Sequence, residues 1–300
     1  MKLSHAQTDI SVIVPTYNRS NLLDYTLHSL VLQSIDRNRF EVVIADDGSS
    51  DNTREIIKKY EQRLHINYMY QEDKGYRVAS ARNMAIAVAR GRLCLFIDSG
   101  ILLNHDCLEQ HIAFHHKNGA DIAAVGYVYG FDRVDEAEAN LFKMINTADP
   151  SASIREISQH AVYFDVREPH YRNHNDKLYD LPAPWLYFWT GNVSVSRDNL
   201  LRVGLFDEAY DGRWGVEDND LGFRLNQAGV KIHLLRSATC IHYPHNNYKP
   251  DKVTQGRQNC AYFHKKFNVL ETGLFLRHYG EVEFVDINLS ILQMPVNENS

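Results

Sequence analysis

Carboxylates cluster at recurrent places in this 300-residue chain. Asp46 and Asp47 follow the apolar run Phe40 to Ala45, Asp98 follows Leu93 to Ile97, and the pair Glu217-Asp218 follows Trp214-Gly215. Gathered carboxylates are costly unless they bind cations, accept hydrogen bonds or do chemistry. Together these five acids suggest a site for a polar, phosphorylated ligand held through a divalent metal. Taken alone, Asp46-Asp47-Gly48-Ser49 reads equally well as a tight turn with a helix cap, and Glu217-Asp218 as acids at a helix start, where they complement the helix dipole.

The elements that must position these acids alternate strand and helix. The run from Ile10 to Pro15 reads as a buried parallel strand. Leu22, Leu23, Leu27 and Leu30 then repeat at helical spacing behind the capping candidates Ser20 and Asn21. Phe40 to Ala45 is a second strand. A helix from about Asp51 carries Ile56, Ile57, Tyr60 and Leu64 on one face, and Ile66 to Tyr70 is a third strand. Val78 to Ala89 is an alanine-rich helix, and Leu93 to Ile97 a fourth strand. This order implies a mostly parallel sheet with right-handed crossovers. Ligands of such sheets sit outside the carboxyl ends of the strands, where Thr16 to Arg19, Asp46-Asp47 and Asp98 to Gly100 fall.

The second half is less regular. Helices are expected near Asp106 to Asn118, Glu136 to Thr147 and Arg197 to Val203, with another opening at Glu217. Strands are expected at Ile122 to Tyr129 and Val193 to Ser196, and one or two more within Lys231 to Tyr243. Residues from about Asp149 to Pro184, with His160, His170 and His174, read as a long loop, a lid or acceptor-side insertion. The expected division is a domain over 1–250, nucleotide-binding to about 100 and acceptor-binding and catalytic from 101, with a C-terminal extension over 251–300.

A net charge of −6 with scattered Lys and Arg excludes the basic footprint that nucleic acid requires. No apolar run approaches the roughly 18–20 residues that span a bilayer, and no signal peptide is evident. Cys94, Cys107, Cys240 and Cys260 form no CxxC pair and read as reduced thiols. The expectation is a cytoplasmic protein with no transmembrane segment, open to peripheral recruitment to a membrane.

Seven motifs carry a resemblance. SVIVPTYNR (residues 11–19), VVIADDGSSD (42–51), GYRVASARN (75–83) and LFID (95–98) look like the opening of family-two glycosyltransferases. TGNVSVSR (190–197), GLFD (204–207) and GVEDNDLGFR (215–224) resemble the acceptor-side region of chondroitin-polymerase-type enzymes and the galactosyltransferase C-terminal region. The resemblance spans roughly residues 10 to 248. It implies the GT-A fold, a Rossmann-like α/β sheet flanked by helices with a loop-rich acceptor-side half. It also implies inverting transfer from a nucleotide sugar, a UDP-sugar, to a saccharide, natural-product, lipid-linked or peptide acceptor.

Residue by residue, the resemblance places Pro15, Thr16, Tyr17 and Arg19 around the nucleotide base. Asp46 and Asp47 are placed on uracil or ribose, with Asp47 favoured for the base. Arg77 and Arg82 fall at the nucleotide face, where either guanidinium could reach a phosphate. Asp98 and Ser99 stand where the family carries Asp-x-Asp, but here the triplet ends in Gly100. A divalent ion, Mn²⁺ or Mg²⁺, would then rest on Asp98 and a histidine of IHYPH (241–245), His242 ahead of His245. The competing reading is metal-free neutralisation of the diphosphate by Arg77, Arg82 or Lys249. Asp218 is the implied general base, with Glu217 on sugar or acceptor hydroxyls. Asn192 is placed on the acceptor side, and Trp185, Trp189 and Trp214 are sugar platforms or core. Asp220 and Arg224 read as a helical ion pair, and His111, His115 and His116 as surface or core residues. Two rival readings are a non-catalytic nucleotide-sugar-binding protein and a sugar nucleotidyltransferase. The second lacks its glycine- and basic-rich phosphate loop after Val14.

Overall fold

The computed structural model describes residues 8–130, 136–245, 251–281 and 285–295. The first half runs β1 (Ile10–Thr16), α1 (Ser20–Val31), β2 (Phe40–Asp46), α2 (Thr53–Lys58), β3 (Ile66–Tyr70), α3 (Val78–Val88), β4 (Leu93–Phe96), β5 (Ile101–Leu103) and α4 (Cys107–Asn118). It continues with β6 (Ile122–Tyr129), α5 (Glu136–Met144), α6 (Pro150–Ile157), α7 (Glu168–Asn173), β7 (Val193–Ser196) and α8 (Arg197–Arg202). The chain closes with α9 (Glu217–Gln227), β8 (Lys231–His242), α10 (Lys252–Phe267), α11 (Leu270–His278) and α12 (Ile287–Leu292). Among these residues no helix is long and apolar enough to cross a membrane. All four cysteines are buried and unpaired.

One eight-stranded sheet orders these strands β3-β2-β1-β4-β7-β6-β8-β5. The β3-β2-β1-β4 half is parallel throughout. β7 runs antiparallel to both β4 and β6, β8 lies parallel to β6, and β5 is antiparallel to β8. Alternation along the strands feeds two cores. Ile13, Val43 and Ala45 face α3, α9 and the C-terminal helices, while Val12, Val14, Val42 and Ile44 face α1, α2 and α4.

Several expectations change here. α2 stops at Lys58, because Lys59 and Tyr60 donate to the carbonyls three residues back and tighten the chain into turns. Tyr60 and Leu64 still reach the core. Arg19, not Ser20 or Asn21, is the N-cap of α1. β5 was not anticipated. Residues 149–184 are not a loop: they hold α6, α7 and short 3-10 turns. Their anchor is the buried Arg167–Asp165 ion pair at 2.7 Å, with Arg167 also donating to the Tyr187 carbonyl. Residues 251–281 and 285–295 build three helices whose Cys260, Phe263, Leu274, Phe275 and Ile287 join the larger core. The alternative phosphate cation Lys249 lies outside the described residues.

Candidate active site

The loops after β1 and β2 are laced together before any ligand arrives. Asn18, at φ 49°, accepts from the Ser50 and Asp51 amides at 2.8 and 3.2 Å, while Ser49 Oγ accepts from the Asn18 amide at 2.8 Å. Asp46 is fully buried, and its two oxygens accept from the Ser49 amide (2.8 Å) and the Tyr68 hydroxyl (2.6 Å). Its assignment to uracil or ribose is therefore corrected: it shapes the turn. Asp47 accepts from Gln71 Nε2 and the Arg77 amide, both at 2.7 Å, and pairs with the Arg77 guanidinium at 3.2 Å. Burial holds its carboxyl above the ordinary range, against the pull of those donors. About four lone-pair sites belong to a carboxylate, so Asp47 keeps room for a ligand. Tyr17 is exposed and donates to Asp73 at 2.8 Å. Ser99 is buried and donates to the Pro15 carbonyl at 3.0 Å, which fixes the loop and occupies its hydroxyl. Thr16 Oγ1 is buried without a hydrogen-bond partner.

Arg82 joins the two halves. It is 3% exposed, and its guanidinium donates to Glu217 Oε1 at 2.8 Å and Asp98 Oδ1 at 3.2 Å. Burial works against its charge, but the Asp98 and Glu217 carboxylates outweigh that and hold it protonated. Each terminal nitrogen thus meets an acid, while Nε is buried without a hydrogen-bond partner. Arg77 is likewise occupied by Asp47 and the Glu72 carbonyl. Glu217 is 5% exposed, and its Oε2 has no hydrogen-bond partner. Asp218, half-buried beside it, accepts from the amides of Asn219 (2.8 Å) and Thr190. Burial first, then the Glu217 charge, pushes the Asp218 carboxyl up to about 7.

The turn that delivers this pair is unusual. Gly215 and Val216 have φ 91° and 78°, and a β-branched residue in the left-handed region is a genuine outlier. Such strain costs roughly 1–3 kcal/mol and persists only where surrounding contacts hold it. Here α10 holds it: Asn259 donates to the Gly215 carbonyl at 2.8 Å, and Gln255 accepts from the Trp214 amide at 3.0 Å.

The carboxyl end of β8 completes the rim. Ile101 pairs with His242, and the Tyr243 amide donates to the Gly100 carbonyl at 2.9 Å, so His242 lies beside the Asp98-Ser99-Gly100 loop. Gly100 has φ 102°, a conformation that a side chain strains, which accounts for glycine where the related pattern carries aspartate. The Asp98 side chain is 39% exposed and open to a ligand. Burial, then His245, Arg19 and Lys252, hold His242 down to about 3, so its imidazole is neutral. His245 lies 2.8 Å from Arg19 Nη1. Among the described residues no group of three or more His, Cys, Asp or Glu converges as a metal site.

Other expected contacts lie elsewhere. Asn192 is 1% exposed, bonded to His111 at 2.9 Å and to the Ala238 carbonyl at 2.9 Å, so it stitches α4 to the sheet and cannot line an acceptor cleft. His111 and His115 both meet Ser194 in that network, and burial holds them at about 4 and 3. Trp185 is core: it makes edge contacts with Phe223, Phe263 and Phe275 at 5.9, 5.1 and 5.4 Å, each worth about 0.5–1.5 kcal/mol beyond burial. Trp189 stacks under Arg167 at 4.8 Å, whereas half-buried Trp214 lies under Lys252 at 5.0 Å, next to the Gly215-Val216 turn. Asp220 and Arg224 do form their ion pair, at 2.5 Å. Sequence reasoning missed Tyr76 and Lys252. Tyr76 stands inside a recognised motif, but only the fold shows its ring amid Glu217, Arg82, Asp98 and Asp218. Lys252 carries no local signal at all.

Comparisons with known proteins concern the chain as a whole. Residues 11–176 match the model described as glycosyl transferase family 2, and residues 170–246 match one described as the N-terminal domain of galactosyltransferase. Validoxylamine A glucosyltransferase of Streptomyces hygroscopicus subsp. jinggangensis is 37% identical over 89% of this chain and 63% of its own length. The chain thus spans just under two thirds of that relative. Chondroitin synthase of Pasteurella multocida is 33% identical over 78% of this chain and 24% of the relative. Among solved structures, S. aureus TarS 1-349 in complex with UDP-GlcNAc has the same fold, at TM-score 0.62 and 18% identity over 97% of this chain and 77% of that one.

Proposed function

The chain belongs to glycosyl transferase family 2, and on that premise we propose that it transfers a sugar from a UDP-sugar to an acceptor hydroxyl with inversion. One observation carries the reading: Asp218, at the start of α9, is a half-buried carboxyl beside the Arg82–Glu217–Asp98 cluster, which joins three separate parts of the chain, and burial and the Glu217 charge raise it to about 7. A general base works best near the operating pH. In the step, the acceptor oxygen bonds to the anomeric carbon, the carbon–oxygen bond to the diphosphate breaks, and the acceptor proton passes to Asp218. Arg82 holds Glu217 and Asp98 in register across the reacting centre. Thr16, Tyr17, Arg19 and Asp47 border the base, and Arg19, His245 and Lys252 give the diphosphate end its positive charge. The relative named a glucosyltransferase and the TarS complex with UDP-GlcNAc support a UDP-sugar donor.

Two protein donors, the Asp98 carboxylate and the neutral His242 imidazole, would hold a Mn²⁺- or Mg²⁺-like ion. Such an ion would offset the charge gathering on the leaving diphosphate. The test is UDP release from a panel of UDP-sugars by the whole chain, with Asp218→Asn as control. Chelation is expected to abolish release and added Mn²⁺ to restore it. Full activity after exhaustive chelation ends the metal assignment, and no release from any donor ends the transferase reading.

A further inference from the structure

The proposed step leaves two groups of the cluster unused. Glu217 Oε2 is buried and unpartnered, although its sister oxygen is bound by Arg82. The Tyr76 ring is half-buried among Glu217, Arg82, Asp98 and Asp218, and among the described residues its hydroxyl has no hydrogen-bond partner. Its place is fixed from the backbone: the Tyr76 carbonyl accepts from the Gly212 amide at 2.6 Å, tying the loop before α3 to the turn before α9. Arg82 does not supply the missing donor in this arrangement: its terminal nitrogens meet Glu217 Oε1 and Asp98 Oδ1, and its Nε is itself buried without a partner. The cluster therefore offers one acceptor oxygen and one uncommitted hydroxyl beside the base. A buried polar atom left unpaired costs about 1–3 kcal/mol, which a ligand that pairs it recovers.

Charge narrows the ligand. Asp98, Glu217 and Asp218 share a single guanidinium, that of Arg82, so without a cation on Asp98 this end of the site carries excess negative charge. The groups around His242, by contrast, are His245, Arg19 and Lys252. We propose that Tyr76 and Glu217 form an acceptor-reading pair that selects a neutral polyhydroxylated ring over an anionic one. Tyr76 donates to one acceptor oxygen, and Glu217 Oε2 accepts from the neighbouring hydroxyl. Glu217 thereby exchanges an unpaired oxygen for a bonded one, and the attacking hydroxyl is left facing Asp218. A carboxylate-bearing ring would set its charge against the three acids. This assignment rests on the reading of Asp218 as the base.

The experiment uses a matched pair of probes, methyl β-glucoside and methyl β-glucuronide, which differ in the charge at one carbon. Binding to the whole chain saturated with UDP is followed by saturation-transfer NMR. The glucoside is expected to bind at least tenfold more tightly than the glucuronide, a difference of about 1.4 kcal/mol. Tyr76→Phe is expected to weaken the glucoside at least fivefold with its melting temperature retained, a readout that mere packing of the ring would not move. Equal affinity for the two probes, no binding of the glucoside, or an unaltered Tyr76→Phe variant overturns the assignment. UDP release from the donor panel tests the transferase reading separately, so a chain that discriminates the probes yet releases no UDP sinks that reading and not this one.

Discussion

Two acidic pairs of this molecule look alike in the sequence and differ in what they have left to give. Asp46 and Asp47, after β2, are met by Ser49, Tyr68, Gln71 and Arg77 without any ligand. Glu217 and Asp218, at the start of α9, keep an unpaired oxygen and a carboxyl raised to about 7. In the first pair Asp46 is spent on the fold and Asp47 is partly filled, whereas the second pair keeps Glu217 Oε2 wholly unpaired. Carboxylates in a cleft are best sorted by unfilled lone pairs rather than by position in a motif.

The sharpest way to break this contrast is Asp218→Asn. Turnover is expected to fall by about 10²- to 10⁴-fold, the range of general-base catalysis, while UDP affinity measured by calorimetry changes little. Loss of UDP binding in step with turnover would return Asp218 to the structural class. The pH profile comes next. The base must be ionised, so transfer should fall about tenfold per unit as pH drops below about 7. Stability should run the other way. The folded chain keeps a proton that the unfolded chain releases near pH 4, so the melting temperature should decline as pH rises from about 4 to about 7. Glu217, Arg82 and the amides of Asn219 and Thr190 face this carboxyl and shape the profile, and Asp218→Asn should flatten it.

The other pair predicts the opposite balance. Asp46→Ala strands the Ser49 amide and Tyr68 hydroxyl and should cost about 2–4 kcal/mol in denaturant unfolding. A variant of normal stability would show that the turn does not need its acid. Smallest is Gly100→Asp, which restores the related pattern's acid at φ 102°. It should lose about 1–3 kcal/mol of stability. Unchanged melting would remove backbone strain as the reason for glycine.

Legibility in the sequence followed the range of the forces involved. Short β-branched runs ending at polar residues gave β1 to β4 nearly to the residue, because buried parallel strands carry their signal locally. The three residues of β5 were too few to register. Residues 149–184 misled because α6 and α7 are short and their anchor, Asp165–Arg167, is buried by tertiary contacts that no local pattern encodes. The same limit governed the site. The strand-end acids announced themselves, whereas the partners of Asn192, Arg77 and Arg82 come from other segments and carry no local signal. Arg82 and Glu217 are 135 residues apart, and only the closed sheet makes them neighbours.

The grip of α10 on the catalytic turn also has a temporal side. Gln255 and Asn259 steady Trp214 and Gly215, and Lys266 reaches the buried Asp220 of α9 at 2.6 Å. During synthesis β1 to β4 emerge early, but the turn bearing Glu217 and Asp218 waits about forty residues for its supports. Its left-handed backbone therefore has nothing to hold it until α10 has been made.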